Sequence, residues 1–207
     1  MTDKSYSASQ LHHKRALRTI PTASQTFSKS ALMYVDGSAP LFAERGEGCY
    51  LWDIDGNRFT DYVLGLLPLV LGYKDPDVDL AITDQMARGI TFSLATELEA
   101  ELAEMLVDII PCAEKVRFGK NGTDATSAAI RLARAHTGRD RVAVCGYHGW
   151  QDWYIGATPR HLGVPQAVRD LTATFTYNNA ESLADLLAQH KGEFAAVLLE
   201  PMTFGLP

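Results

Sequence analysis

Two short turns, each built on glycine, carry the residues of this sequence that could bind or transform a ligand. The first, residues 120–124, reads Lys-Asn-Gly-Thr-Asp, and the second, residues 146–150, reads Gly-Tyr-His-Gly-Trp. Backbone amides at the start of a helix, together with a threonine hydroxyl, suit an anion such as phosphate. Tyrosine and tryptophan rings offer a flat apolar face to a planar molecule. The two turns together therefore predict a ligand that is both phosphorylated and flat.

The first turn has residue types that favour a helix start. Asn121 and Gly122 tolerate the backbone conformations of a tight turn, and Thr123 or Asp124 is predicted to cap the following helix. We expect Gly122 and Thr123 to bind phosphate through their N–H groups and the threonine hydroxyl, with Asn121 shaping the turn or adding one hydrogen bond. An ordinary capped strand-to-helix turn is the alternative. Lys120 does not match a nucleotide-binding P-loop, because no serine or threonine follows it.

Three predicted elements position the two turns. Val116–Phe118 is predicted to be a strand that Gly119 ends, and Ala125–Ala135 a helix whose small-residue face would lie close to a sheet. The helix is predicted to stop at Gly138, and Arg141–Cys145 to form the next buried strand. This order is typical of a βαβ unit, which would bring both turns to the carboxyl edge of one largely parallel sheet.

The flanking sequence predicts further elements on both sides of this unit. Pro40–Tyr62 has the pattern of a hairpin or short meander, with a tight turn at Asp55-Gly56. Asp75-Pro76 opens one helix, and Thr96 and Glu99 form the capping box of another, whose apolar stripe is predicted to be core. Downstream we predict a strand at Thr172–Phe175, a turn and helix cap at Tyr177–Asn179, a helix at Glu181–His190, and a strand covered on both faces at Phe194–Leu199.

Composition narrows the class of protein and its partners. The 207 residues are 46% hydrophobic and 21% charged, as in an ordinary globular protein, and a formal net charge of −6 argues against nucleic acid or an anionic membrane as partner. No apolar run resembles a signal peptide or a membrane span, so a cytoplasmic location is predicted. The cysteines and His136, His148 and His161 lack metal-ligand spacing, so no metal is predicted. The polar residues 1–30 are expected to be a solvated segment.

The order and spacing of several motifs resemble one family. They are Asn-Gly-Thr-Asp-Ala at 121–125, Gly-Tyr-His-Gly at 146–149, Glu-Arg-Gly at 44–46, the stretch at 48–59, and Leu-Leu-Glu-Pro at 198–201. This ordered set is similar to the class III aminotransferases, which use pyridoxal 5'-phosphate (PLP), and within them to the glutamate-1-semialdehyde aminomutase-like branch. The resemblance implies an α/β, aspartate-aminotransferase-like fold (PLP fold type I): a mostly parallel sheet with helices on both faces, incomplete in this chain. Residues 1–75 would be an N-terminal segment of the small domain, and residues 76–207 the first half of the PLP-binding large domain.

The same resemblance implies roles for the second turn and for the end of the last predicted strand. Tyr147 is expected to stack on the pyridine ring of the cofactor, with a packed surface aromatic as the alternative. His148 is expected to support the turn and pack behind the cofactor, although a general base is the competing interpretation. Glu200 is expected to lie near the cofactor or the substrate, and a water-exposed strand-end glutamate is the alternative. With Asn121, Gly122 and Thr123, these residues make up the predicted cofactor site.

The resemblance also implies two groups that this chain lacks. In the family, a lysine holds the cofactor aldehyde and an aspartate pairs with the ring nitrogen, and both follow the Glu-Pro motif well downstream. None of the seven lysines of this chain occupies a matching position. Family subunits are about twice this length, so the chain is predicted to be the N-terminal half of such an enzyme: a truncated product, an incomplete sequence or one piece of a split protein. We expect it to be inactive alone, and the complete enzyme to be a homodimer.

Two further interpretations concern function. A non-catalytic binding or interaction fragment would keep the same motifs without the reaction. A nucleotide-binding domain would need a G-x-G-x-x-G turn and an acidic residue about twenty positions later, and the sequence has neither. The family substrates are a small-molecule amine or amino acid and an aldehyde or keto compound. Leu66-Leu67 stands where the aminomutase branch has tryptophan, and Ala31 where it has a carboxylate-binding arginine. Another amine or aldehyde, a sugar among the candidates, therefore fits the sequence at least as well as glutamate-1-semialdehyde.

Overall fold

The computed structural model describes residues 4–35 and 37–202. The chain forms two compact units, and the division between them falls between Ala95 and Thr96. This division lies later than the domain boundary predicted after residue 75, which stays a prediction.

The first unit contains the predicted meander. Strands β1 (Ala43–Glu47), β2 (Tyr50–Asp53) and β3 (Arg58–Thr60) form an antiparallel sheet in the order β1-β2-β3. Helix α2 (Pro76–Arg88) follows, and the carboxylate of Asp75 caps it by accepting hydrogen bonds from the backbone N–H groups of its first turn. The meander and the helix start are therefore confirmed.

The N-terminal segment of this unit is more ordered than its composition predicted. Helix α1 spans Ser7–Ala16, and short 3-10 helices follow at Pro21–Ala23, Phe27–Lys29 and Ala31–Met33. Asp55 accepts hydrogen bonds from the N–H groups of Ala8 at 2.7 Å and Ser9 at 2.9 Å, so it caps α1 from 47 residues away in sequence. Most residues of the segment are solvent-exposed, as expected. Its helical structure was not predicted, because the cap that stabilises α1 comes from a distant turn.

The second unit is built on a parallel sheet. It contains α3 (Glu97–Ile109), α4 (Gly122–Thr137), β4 (Arg141–Cys145), α5 (Asp152–Ile155), α6 (Gln166–Arg169), β5 (Thr172–Thr174), α7 (Ala180–Gln189) and β6 (Phe194–Leu199). The strand order is β5-β4-β6, with β4 pairing in parallel to both neighbours. Helix α4 lies against β6. The buried core of this unit consists of Ile130 of α4, Val142 and Val144 of β4, and Trp153 and Tyr154 of α5.

Two predictions about the central unit need correction. Val116–Phe118 is not a strand, because a strand requires a neighbour for its backbone N–H and C=O groups and no described strand pairs with this segment. Helix α4 begins at Gly122, earlier than predicted, and Asn121 is its N-cap. Its predicted end is confirmed, since Gly138 adopts the left-handed conformation with φ of 65°.

Several apolar faces predicted to be core are exposed in this chain. The capping box of α3 forms as predicted. However, its apolar stripe is not buried: Leu98, Leu102, Met105 and Ile109 are 46% to 63% exposed. Strand β6 was expected to be covered on both faces, yet Val197 and Leu199 are also exposed. An amphipathic pattern shows which face can be buried, and burial requires a second layer that the described residues do not provide. None of the described helices is both long and apolar enough to cross a membrane.

Candidate functional site

The start of α4 presents unsatisfied hydrogen-bond donors. Gly122 and Thr123 occupy the first turn of the helix, where α-helical geometry supplies no acceptor for the backbone N–H groups. Asp124 completes a capping box, because its carboxylate accepts a hydrogen bond from the N–H of Asn121 at 3.0 Å. The helix dipole adds a partial positive charge at this point. The helix start can therefore hold an anion through the N–H groups of Gly122 and Thr123.

The hydroxyl of Thr123 is the unsatisfied polar group of this turn. It is shielded from solvent and has no hydrogen-bond partner among the described residues. Gly149 lies directly against it: a Cβ at position 149 would collide with the Thr123 hydroxyl and come within 2.9 Å of its Cβ. Gly149 also has φ of 114°, which side-chain-bearing residues rarely adopt. Position 149 therefore requires glycine both for lack of space and for its backbone conformation. The close approach of Gly149 to Thr123 also shows that the two predicted turns are in contact.

A second threonine links the turns by hydrogen bonds. The hydroxyl of Thr126 lies 3.0 Å from the carbonyl oxygen of His148 and 3.2 Å from that of Thr123, so it can donate to either. Sequence reasoning did not select Thr126. Its position one helical turn after Thr123 was the available signal, because residues three apart on a helix share a face.

The aromatic turn follows directly from the end of β4. The ring of Tyr147 is 63% exposed, whereas His148 is 7% exposed. The Nε2 atom of His148 lies 2.8 Å from the carbonyl oxygen of Cys145. Because a carbonyl oxygen only accepts hydrogen bonds, Nε2 carries the proton in this contact and cannot serve there as a base. The His148 side chain is thus buried against the turn, whereas the Tyr147 side chain is open to solvent.

Glu200 lies at the end of β6, beside the start of the aromatic turn. Its backbone N–H donates to the carbonyl oxygen of Cys145 at 3.1 Å, which continues the pairing of β6 with β4. A Cβ at Gly146 would lie 2.6 Å from a carboxylate oxygen of Glu200, so the glutamate side chain passes across this glycine. Burial, and secondarily the charge of Glu200, raise the pKa of the Cys145 thiol. Cys145 therefore stays protonated near neutral pH and is a poor nucleophile.

These elements surround one open cavity of about 400 Å³. Its lining residues are Asn121, Gly122, Thr123, Thr126, Tyr147, His148, Gly149 and Trp150. The cavity brings together five of the six predicted site residues. Glu200 contacts Gly146 but is not part of the lining. Of the lining residues, Thr126 and Gly149 were given no role from sequence.

The cavity has the donors that a phosphorylated planar molecule needs. The helix start and the unpartnered Thr123 hydroxyl suit a phosphate, and the exposed Tyr147 ring provides an apolar face. The lining contains no lysine. Among residues 4–35 and 37–202, no three histidine, cysteine or carboxylate side chains come together as they would to hold a metal ion.

Comparison with known proteins identifies the fold. An omega-transaminase from Sphaerobacter thermophilus superposes with a TM-score of 0.84 at 35% identity, over 94% of this chain and 47% of that one. A transaminase solved with PLP bound gives a TM-score of 0.86 at 26% identity, over 96% of this chain and 48% of that one. The fold is accordingly that of the PLP fold type I enzymes, as predicted.

The sequence comparisons identify the family. Over 217 aligned residues the chain is 42% identical to the glutamate-1-semialdehyde 2,1-aminomutase of Chloroflexus aggregans. The alignment covers 98% of this chain and 49% of that relative. The family model for class-III aminotransferases matches residues 33–204. The chain therefore belongs to the class-III aminotransferase family, whose members use PLP. It spans about half the length of the curated relatives it matches.

Proposed function

We propose that this chain provides the PLP-binding residues of an aminotransferase or aminomutase, which moves an amino group between an amine or amino acid and an aldehyde or keto compound. One observation carries the proposal. The shielded Thr123 hydroxyl has no hydrogen-bond partner and lies at a helix start, against the turn that presents Tyr147. A buried hydroxyl without a partner lowers stability, so its retention is best explained by a ligand that supplies the partner.

The phosphate of PLP would be held at the start of α4. The N–H groups of Gly122 and Thr123 and the Thr123 hydroxyl would donate to its oxygens, with Asn121 fixing the first turn as N-cap. Free donors and the helix dipole both favour the dianion at this point. The Asp124 carboxylate is engaged by the N–H of Asn121, which keeps the donors of the next residues free.

The ring of PLP would lie against Tyr147. When bound, PLP supplies an electron sink for bond cleavage at the substrate carbon. The protein's contribution is orientation: the Tyr147 ring would set the plane of the cofactor, and His148 would hold the turn through its contact with the Cys145 carbonyl. Glu200 is proposed to fill the space beside Gly146 and to face the cofactor or substrate from the strand end.

We further propose that these 207 residues bind PLP without catalysing transamination by themselves. No lysine lies among the residues lining the cavity. Lys120, the lysine closest to it in sequence, precedes the phosphate turn, where it would meet the phosphate and not the aldehyde. This absence is the observation that favours the alternative of a binding fragment for the isolated chain, within a family of enzymes.

The substrate is proposed to differ from glutamate-1-semialdehyde, although the chain is 42% identical to an aminomutase of that name. Ala31 begins a short 3-10 helix and has no charge to offer a carboxylate. Leu66 and Leu67 provide no aromatic surface. A related amine or aldehyde, a sugar among the candidates, fits these residues. The complete enzyme is proposed to be a homodimer.

The test is an absorbance titration of the purified chain with PLP, before and after borohydride reduction. We expect saturable binding and no lysine labelled covalently by borohydride. Pyridoxal without the phosphate is the matched probe and should bind at least tenfold more weakly, because it lacks the group held at the helix start. Equal binding of the two probes would overturn the phosphate site. Stoichiometric labelling of one lysine would instead overturn the claim that the chain lacks the catalytic group.

A further inference from the structure

One side chain contacts most of the aromatic turn and has no assigned role. Tyr154 lies in α5 and is 7% exposed. Its hydroxyl donates a hydrogen bond to the carbonyl oxygen of Gly146 at 2.8 Å. Gly146 has φ of 94° and directly follows β4, so this bond holds the first residue of the turn in a conformation that only glycine adopts easily.

The ring of Tyr154 contacts the next two residues of the turn. Its centroid lies 5.8 Å from that of Tyr147 with an interplanar angle of 89°, and 5.3 Å from that of His148 with an angle of 78°. Both are edge-to-face arrangements, which stabilise aromatic pairs beyond the burial of their area. Tyr154 therefore touches three consecutive residues of the turn, Gly146 through a hydrogen bond and Tyr147 and His148 through ring contacts.

These contacts matter because the Tyr147 ring is otherwise free to turn. At 63% exposure most of its surface lacks protein neighbours, and exposed side chains change rotamer on a fast timescale. Tyr154 is itself fixed by the core, where it packs with Trp153 and Val144. Edge contact with a fixed ring limits the rotamers that Tyr147 can adopt.

We infer that Tyr154 is a positioning residue that holds the aromatic turn so that the Tyr147 ring is oriented for stacking before the cofactor arrives. This inference rests on the proposed function. Preorganisation of this kind strengthens binding by reducing the conformational freedom lost when the ligand binds. Because Tyr154 contacts the aromatic turn and not the helix start, it affects the planar part of the ligand and leaves the phosphate contacts unchanged.

The protonation state of Tyr154 agrees with this role. Burial raises the pKa of its hydroxyl, and the neighbouring Tyr147, Glu200 and Cys145 raise it further, against a lowering by a backbone hydrogen bond at His148. The hydroxyl therefore keeps its proton throughout the neutral range. It remains a donor to the Gly146 carbonyl under all conditions in which PLP binding would be measured.

The test is Tyr154→Phe in the full chain, which removes the hydrogen bonds of the hydroxyl and keeps the ring. Binding is measured with two probes, PLP and inorganic phosphate, and the circular dichroism of bound PLP reports the orientation of its ring. We expect PLP to bind about threefold to tenfold more weakly, the usual worth of one hydrogen bond, with a changed dichroism and unchanged phosphate affinity. Tyr73→Phe is the matched control, since it removes a tyrosine hydroxyl bonded to Asp61 in the first unit.

Hydrogen exchange of the ligand-free chain provides a second measurement. Tyr154→Phe should speed exchange at residues 146–149 and leave the amides of α4 as in the unsubstituted chain. Unchanged exchange and unchanged dichroism would overturn the inference. Equal weakening of PLP and inorganic phosphate would also overturn it, because the substitution would then have loosened the whole site. If the unsubstituted chain bound neither probe, the proposed function would fail, whereas exchange would still decide whether Tyr154 holds the turn.

Discussion

Two turns of this chain each contain aspartate, asparagine and glycine and differ in how their buried polar atoms are satisfied. In the first unit, residues 53–57 read Asp-Ile-Asp-Gly-Asn; in the second, residues 120–124 read Lys-Asn-Gly-Thr-Asp. Asp53 is completely buried. One of its oxygens accepts from the N–H groups of Asp55 at 3.1 Å and Asn57 at 2.7 Å, and the other from the Asn57 side chain at 2.9 Å.

The turn at residues 120–124 leaves its buried hydroxyl unpaired. The Thr123 oxygen is shielded by Gly149 and has no partner among the described residues. The comparison teaches that a turn which satisfies its own polar atoms contributes to stability, whereas a turn that leaves them open is prepared for a ligand. Substitutions in the turn at residues 53–57 should therefore change the free energy of unfolding, and substitutions in the turn at residues 120–124 should change ligand affinity.

The largest effect is expected from Asp53→Ala. It would remove the acceptor shared by three partly buried hydrogen bonds, so we expect the free energy of unfolding to fall by about 3 kcal/mol. Urea unfolding measures this loss. Asp84→Ala, at an exposed position of α2, is the control and should change stability by less than about 0.5 kcal/mol. A loss below about 1 kcal/mol for Asp53→Ala would contradict the claim that the hydrogen bonds within this turn stabilise the chain.

Gly149→Ala should have the next largest effect, on affinity. The added Cβ would collide with the Thr123 hydroxyl and displace it from the helix start, so we expect PLP to bind at least about tenfold more weakly, a difference of about 1.4 kcal/mol. The titration with PLP described above measures it. Gly163→Ala is a matched control, because Gly163 also has a positive φ, 87°, but no atom lies within 4 Å of the added Cβ. Equal losses for the two variants would show that backbone strain, and not the collision, is responsible.

Thr123→Val should separate affinity from stability. The substitution keeps the shape and removes an unsatisfied hydroxyl, so stability should stay the same or rise, while PLP and inorganic phosphate bind about threefold to tenfold more weakly. Thermal unfolding and titration measure the two quantities. Thr126→Val is the counterpart: its hydroxyl is bonded to backbone carbonyls, so its loss should lower stability. A destabilised Thr123→Val chain with unchanged affinity would remove the contrast between the turns.

The smallest expected effect is on the pH dependence of stability, through a hydrogen-bonded pair of side chains in the first unit. Tyr73 donates to Asp61 at 2.6 Å. Burial, and after it the hydrogen bond to Asp61 and the negative charge of Asp61, raise the pKa of Tyr73 to about 12. A raised folded-state pKa means that this stabilisation is complete below the ordinary tyrosine pKa near 10 and is lost as the pH rises toward 12.

The pKa of Asp61 affects stability at acidic instead of alkaline pH. Burial raises its pKa, but the Tyr73 hydroxyl and backbone N–H groups outweigh that and hold the pKa below its usual value. The corresponding stabilisation is present above that usual value and is lost as the pH falls through the lowered one. Tyr73→Phe should therefore flatten the pH dependence of stability between 10 and 12, as measured by unfolding at a series of pH values. The same slope in both chains would show that this hydrogen bond does not stabilise the unit.

Local signals in the sequence were sufficient for much of the fold. Asp75, Asn179 and the Thr96–Glu99 pair each mark a helix start, and Gly138 marks a helix end, because capping involves residues within one turn of one another. The run at Phe194–Leu199 marks a strand by its apolar residues alone. The family motifs added the fold type and the cofactor.

Where sequence reasoning was wrong, the missing information was long-range. Helix α1 depends on a cap from Asp55. Val116–Phe118 has strand-forming residues but no described neighbour to pair with. The stripe of α3 has the period of a core helix but no described second layer to cover it.

By itself, the sequence determined the two turns, the helix that follows the first, the strand that precedes the second, and the chemical types of the six predicted site residues. The tertiary structure alone decided that Gly149 closes over the Thr123 hydroxyl, that Thr126 links the turns, and that Tyr154 supports Tyr147. The physical reason is that backbone conformation depends on near neighbours, whereas a cavity is formed by side chains that the parallel sheet brings together from separate segments.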